Sequence, residues 1–200
     1  ALRMQINPHF LYNTLDMVAW ISRDKGVTEV ADIAVSLSQM MRYTIKGTAM
    51  TDLKAELEHI RHYLTIQKLR YGDRITFIVQ SPEELMGFRL PKLVIQPLVE
   101  NAIIHGLDGC ANGYICIYAA QKDGILRISV TDDGCGMGQE MLDWMNSPNP
   151  AKRDGHLGLY NVIQILKLYY GEEYGIQAES DTSGTTVTIR LPAKKEAPHV

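Results

Sequence analysis

Two hundred residues with 46% apolar content suffice for one large domain or two small ones, with a core that needs no disulfide or structural metal. Twenty Lys and Arg against 23 Asp and Glu leave a net charge of -3, which excludes the strongly basic balance of a nucleic-acid binder, so no nucleic acid is expected as a partner.

The first 70 or so residues read as helical. Ile6, Phe10, Met17 and Ile21 recur on one side at helical spacing around His9, and Pro8 marks the helix start. Gly26 breaks this pattern. Thr28 is the expected N-cap of a second helix with the stripe Val30, Ile33, Ala34, Leu37 and Met41, which Gly47 ends. Thr51 or Asp52 then caps a third helix carrying Leu53, Leu57, Ile60 and Leu64. A hairpin of two amphipathic helices has too little surface to bury both apolar faces, so a second copy completing a dimeric four-helix bundle is expected.

From Arg74 onward short β-like runs alternate with helical stretches. Strands are expected over 75–79, 113–119, 125–131, 175–178 and 185–191, and helices over 91–105, 139–145 and 159–169. Asp123-Gly124 between the second and third runs is a hairpin signal. The fold class is therefore α+β: a helical hairpin followed by an α/β sandwich whose mixed sheet is covered on one face. The tail 193–200 reads as disordered.

The apolar run 93–104 is interrupted by Gln96, Pro97, Glu100 and Asn101 and does not read as a membrane span. Ala1-Leu2-Arg3-Met4 carries no signal-peptide pattern and leads straight into helix-forming sequence, so the chain reads as a piece of something longer. Cys110, Cys116 and Cys135 share no C-x-x-C spacing and read as reduced thiols rather than a disulfide framework or zinc site.

Three segments carry chemistry. Glu100-Asn101 lies on a helix, Asp132-Asp133-Gly134-Cys135-Gly136 follows a strand, and Gly155-His156-Leu157-Gly158 opens a helix. A carboxylate at a strand end can accept a hydrogen bond from an exocyclic amine such as that of adenine, and the glycines after it admit a ligand to the backbone. A glycine-rich turn at a helix start turns free N–H groups toward a phosphate. No G-x-x-x-x-G-K-[ST] occurs, so the P-loop solution to phosphate binding is absent.

In this order the segments resemble the LytS/YesM-type sensor histidine kinases. Gln5-Ile6-Asn7-Pro8-His9-Phe10-Leu11-Tyr12-Asn13 is similar to the family's phosphoacceptor segment. Glu56-Leu57, Tyr63-Leu64, Ile66-Gln67 and Arg70-Tyr71-Gly72-Asp73-Arg74 resemble the helix that follows it. Gln96 to Ala102 with His105-Gly106 looks like its N box, Asp132 to Gly136 its first glycine box, and Gly155 to Asn161 its second; Gly184-Thr185 resembles the closing strand.

The resemblance implies a GHKL (Bergerat-type) ATPase domain over 73–192 behind a dimerisation and acceptor module over 1–72. It implies His9 as phosphoacceptor with Asn13 and Glu100 as catalytic neighbours, Asn101 holding Mg²⁺ against the phosphates of ATP, and Asp132 reading adenine. His105, Gly134, Gly136, Gly155, Leu157, Gly158, Leu159 and Thr185 would complete the nucleotide site, with 139–154 as a lid. Asp16 and Asn13 share a helix face with His9 and are candidates to orient its ring. The implied partners are a second copy of the chain and a response regulator that receives the phosphoryl group on an Asp. The implied location is the cytoplasmic portion of a cell-membrane sensor.

Two positions depart from the family pattern: Ile104 stands where a Lys is usual and Ile165 where an Arg is usual. Missing cations remove charge stabilisation from phosphoryl transfer. They support one alternative reading, a phosphatase-biased or scaffold module; a second, an ATP-binding dimer clamp, is opposed by the segment from Gln5 to Leu15. Lys152, Arg153 and His156 are the candidates to replace the lost charge.

Overall fold

Two units make up the chain: one comprises 1–48 and 57–72, the other 49–56 and 73–200. The computed structural model describes residues 7–45, 47–107 and 110–196; Gln5 and Ile6 of the acceptor segment and the last four residues of the expected tail lie outside them.

In the first unit, α1 (Pro8–Asp24) and α2 (Thr28–Ile45) form a helical hairpin. Asn7 is the N-cap of α1: its side chain accepts the His9 N–H at 3.0 Å, and Pro8 follows where a missing N–H costs nothing. Gly26, at φ 73°, turns the chain. Thr28 is not the cap of α2 but its first residue, because the Ala31 N–H donates to the Val27 carbonyl and places the cap one residue earlier. The helices meet through Ala19, Ala31 and Ala34, small side chains that permit close approach. Buried Ser38 donates to Asp16 Oδ1 at 2.8 Å across the hairpin.

A third helix, α3 (Leu53–Tyr71), buries its expected stripe of Leu53, Leu57, Ile60 and Leu64. Asp52 caps it by accepting the Ala55 N–H at 2.8 Å, while the Leu53 and Lys54 N–H groups donate to the carbonyls of Phe88 and Met86. Just before it lies a strand that the sequence pattern did not reveal. β1 (Met50–Asp52) pairs antiparallel with β3 (Arg89–Pro91), with Thr51 opposite Leu90. Residues 49–56 therefore group with the second unit, ahead of the division expected at 72/73.

The second unit is built on a five-stranded mixed sheet in the order β2-β4-β5-β7-β6. β2 (Ile75–Gln80) runs parallel to β4 (Gly113–Lys122). β5 (Ile125–Asp132), β7 (Gly184–Pro192) and β6 (Gly175–Asp181) continue it antiparallel. Asp123 and Gly124, at φ 53° and 74°, form the tight turn between β4 and β5. Along β4, β5 and β7 alternate residues point to one face, where Ile115, Ile117, Leu126, Ile128, Val187 and Ile189 are buried. α6 (Leu157–Tyr170) adds Leu159, Val162, Ile163 and Leu166 to the buried set.

The helix expected over 91–105 begins later, as α4 (Gln96–Asn101), and continues as a single π-turn over Ala102–Gly106. Leu93, at φ 61°, is incompatible with a helix starting at residue 91. The expected lid folds on itself. From α5 (Gln139–Asn146), Trp144 Nε1 donates to the Ala151 carbonyl at 2.7 Å, and Glu140 pairs with Arg153 at 3.0 Å. The expected disorder of the tail is corrected in its first residues: Ala193 N–H donates to Gly124, Lys194 accepts from the Arg89 N–H, and Lys195 lies over Phe88. Among the described residues, no helix is long and apolar enough to cross a membrane.

Candidate active site

His9 belongs to the first unit, exposed in the first turn of α1. The Asn13 amide nitrogen, one turn on, stands 3.1 Å from Nδ1 and 3.3 Å from Nε2 of its ring. Tyr12, buried, presents its edge to the same imidazole with ring centroids 5.7 Å apart. Arg42 from α2 lies over the Tyr12 ring at 4.2 Å and reaches Asp16 Oδ2 at 2.6 Å. Asp16 is therefore committed to Ser38 and Arg42, and Asn13 alone of the two candidates contacts the His9 ring.

In the second unit, β5 carries Asp132 to the end of the sheet, where only 4% of it is exposed. Its Oδ1 accepts the Gly134 N–H at 3.1 Å. Burial raises the Asp132 pKa above the usual carboxylate value, a shift opposed by the Gly134 and Thr185 N–H groups and assisted by Asp133. The glycine beside it is dictated by space: a Cβ at Gly106 would sit 2.6 Å from the Asp132 carboxyl group. Gly134 is packed in turn against the Gly106 carbonyl, which a Cβ there would strike. These two contacts tie the first glycine box to the end of the N box.

Thr185, opposite Asp132 on β7, shares a 2.9 Å hydroxyl contact with Ser180, which also accepts the Met137 N–H at 2.7 Å. Gly136, at φ 79°, begins the segment toward α5. Asp132, Ser180 and Thr185 line a cavity of about 370 Å³.

A second, smaller cavity of about 90 Å³ joins the N box to the second glycine box. Glu100, Asn101, His105, Gly155, Gly158 and Leu159 line it together, so five of the expected nucleotide-site residues converge there with Glu100. Leu157 is exposed and is not among the lining residues, whereas Pro97, Ile104 and His156 are. Gln96 donates to Glu100 Oε1 at 2.7 Å. The rings of His105 and His156 stand 5.2 Å apart, and Trp144 lies 6.2 Å beyond. Burial lowers the His156 pKa, with His105 and Arg153 adding to the effect. Of the candidate replacement cations, Arg153 is engaged by Glu140.

The arrangement fits a magnesium nucleotide. Asn101, 9% exposed at the cavity, offers the neutral oxygen donor that suits Mg²⁺ shared with phosphates. Asp132 offers a buried acceptor beside backbone that lacks side chains. Among the described residues, no group of three His, Cys, Asp or Glu side chains could hold a metal by itself, so phosphate oxygens and water would supply the remaining ligands.

Sequence reasoning missed Glu56 as a buried group. Its signal was present: at helical spacing Glu56 falls on the face of Leu53, Leu57 and Ile60, an apolar stripe where a carboxylate requires partners.

Comparison with known proteins matches residues 1–75 to the family described as histidine kinase. Residues 88–195 match the family described as histidine kinase-, DNA gyrase B-, and HSP90-like ATPase. The chain is 34% identical to the sensor histidine kinase YesM of Bacillus subtilis, over 98% of this chain and 33% of YesM. It is 35% identical to the sensor histidine kinase YpdA of Escherichia coli, over 98% of this chain and 34% of YpdA. The solved histidine kinase domain of the Erythrobacter litoralis EL346 blue-light activated histidine kinase has a TM-score of 0.56 and 19% identity, covering 93% of this chain and 94% of that one; the likeness is one of fold. The chain spans about a third of the length of the curated relatives it matches.

Proposed function

Because the chain belongs to the histidine kinase-, DNA gyrase B-, and HSP90-like ATPase family, with a histidine kinase match ahead of that ATPase match, we propose that it transfers the γ-phosphoryl group of ATP to a ring nitrogen of His9 and passes it to an Asp of a response regulator. The observation that carries the nucleotide half is the buried Asp132 facing Gly106, with no room for a Cβ between them.

In the proposed reaction the His9 nitrogen lone pair forms an N–P bond while the bond from the γ-phosphorus to its bridging oxygen breaks and ADP leaves. Phosphoryl transfer through a loose transition state rewards positioning above all. Asn13, over the His9 ring, restricts the imidazole, and Tyr12 buttresses it from one side. Asp132 orients adenine, and the cavity bordered by Asn101, Gly155 and Gly158 receives the phosphates. Mg²⁺ held through Asn101 would neutralise charge on the phosphate oxygens.

The exposed apolar side chains of the hairpin support a homodimer. Phe10 is 66% exposed, Met17 61% and Trp20 70%, large surfaces that a second copy would cover. The full-length parent is proposed as a cell-membrane sensor with this portion on the cytoplasmic side, in line with the sensor kinases to which the chain is similar.

Incubation with γ-labelled ATP and Mg²⁺ tests the proposal. Acid-labile, alkali-stable label that disappears in His9→Gln is the expected result. Label that persists in His9→Gln overturns the acceptor assignment. ATP hydrolysis without label favours a nucleotide-driven clamp, and absence of both binding and turnover favours a scaffold.

A further inference from the structure

We propose that Glu56 is a positioning residue for the nucleotide site, its carboxyl group fixing the loop from which the Asn101 helix starts. This rests on the reading of that site as a nucleotide site.

Glu56 lies in the first turn of α3 and is fully buried. Its two oxygens are divided between two backbone donors of one loop: Oε2 accepts the Leu93 N–H at 3.0 Å and Oε1 the Ile95 N–H at 3.1 Å. The loop is unusual, because Leu93 holds φ 61°, a conformation that a branched L-residue adopts only when its surroundings enforce it. A carboxyl group with both oxygens engaged supplies that enforcement.

The next link is direct. Ile95 donates its N–H to Glu56, and its carbonyl accepts the N–H groups of Leu98 and Val99, the opening bonds of α4. α4 ends at Asn101 six residues on, and Pro97, Glu100 and Asn101 of that helix all line the smaller cavity. The start and tilt of α4 thus depend on a carboxyl group that is not among the residues lining the cavity. The loop is also tethered from its other end, where the Lys92 N–H donates to Ala49 and β3 pairs with β1. The Glu56 hydrogen bonds reach past Leu93 into the helix start.

The two substitutions have different chemistry. Glu56→Ala leaves both N–H groups without their carboxyl acceptors. Glu56→Gln keeps one acceptor oxygen and turns an NH₂ toward the other N–H, donor against donor.

The test uses the 200-residue chain. Binding of Mg-ATP is read by displacement of a fluorescent nucleotide analogue, and backbone hydrogen exchange is read peptide by peptide. The expected result is a loss of affinity of about ten-fold or more in Glu56→Ala and a smaller loss in Glu56→Gln. Exchange should accelerate over 93–101 while the amides of β5 and β7 keep their rates. Affinity within two-fold of the parent chain in either folded variant overturns the proposal, as does uniform acceleration across the second unit. If Glu56→Ala does not fold, the Gln variant decides between these outcomes. A parent chain that binds no nucleotide overturns the reading of the site itself, and this inference with it, and is recognised before any variant is made.

Discussion

Arg42 on α2 reaches Asp16 on α1 with 2.6 Å between guanidinium nitrogen and carboxylate oxygen, and the same guanidinium covers the Tyr12 ring that borders His9. One side chain thus joins the two helices of the hairpin and supports the face on which His9 sits. Because the pair is partly exposed, its ionic part is weak, and most of the effect of Arg42 comes from adding the aromatic contact to it. Arg42→Ala should lower the stability of the hairpin by about 1 kcal/mol, measured by denaturant unfolding. A double-mutant cycle with Asp16→Ala should recover only part of that loss, because the Tyr12 contact is independent of the carboxylate.

Asp132 poses a conflict between stability and function. Its pKa is raised by burial, so the folded state binds the proton more tightly than the unfolded state does. Stability therefore falls as pH rises from the ordinary 3.8 toward the raised value, and above that window the full cost remains. Asp132→Asn should raise the melting temperature at pH 7 and remove this fall. The same change should weaken ATP at least about ten-fold, since the exocyclic amine loses its charged acceptor. Calorimetry across pH and nucleotide titration check the two halves.

Gly134 has no freedom to become alanine. A Cβ there would strike the Gly106 carbonyl, which is backbone and cannot rotate aside. Gly134→Ala should cost about 1–3 kcal/mol of stability, as overpacking does, and should abolish nucleotide binding. Gly138→Ala, where a Cβ meets nothing within 4 Å, serves as the matched control and should leave nucleotide binding unchanged, with only the small stability cost of an Ala at the N-cap of α5.

Ile104 is 57% exposed and borders the smaller cavity, so a longer polar side chain can be accommodated there. Ile104→Lys should bring an ammonium group to the phosphates and tighten ATP about ten-fold, with a stronger dependence on salt than the parent chain shows. Unchanged affinity would mean that charge at this edge of the cavity is already supplied from elsewhere.

His156 adds a pH dependence of opposite sign to that of Asp132. Its pKa lies below the ordinary 6.5, chiefly through burial and then through His105 and Arg153. The folded state resists protonation, so stability is lost as pH falls from 6.5 through the lowered value. His156→Gln should flatten the stability profile below pH 6.5, which thermal unfolding at a series of pH values will show.

Much of this was legible where the signal is local. The Asp123-Gly124 turn, the alternation along β5 and β7, and the helical stripe of α3 each depend on neighbours within a few residues. The order of the boxes named residues of which those in the N box and the second glycine box line one cavity, while Asp132 lines another. What escaped depended on partners distant in the chain. β1 and β3 are three residues each and exist through pairing across almost forty positions, which no periodicity can reveal. Leu93-Val94-Ile95 suits a helix in composition, yet two of its N–H groups are drawn away by Glu56. Leu157 shows the limit of motif transfer, since the position lies within the glycine box but its side chain faces outward.

The early strand β1 has a consequence for how such chains can be cut and recombined. The ATPase half is not a contiguous stretch of sequence: the polypeptide visits it at 49–56, departs along α3, and returns at 73. A truncation starting at residue 73 would leave β3 as an unpaired edge and strip Leu93 and Ile95 of their acceptors, inviting aggregation. A transplanted ATPase half therefore has to bring α3 with it, and grafts between relatives should succeed when joined near residue 48 and fail when joined near 72.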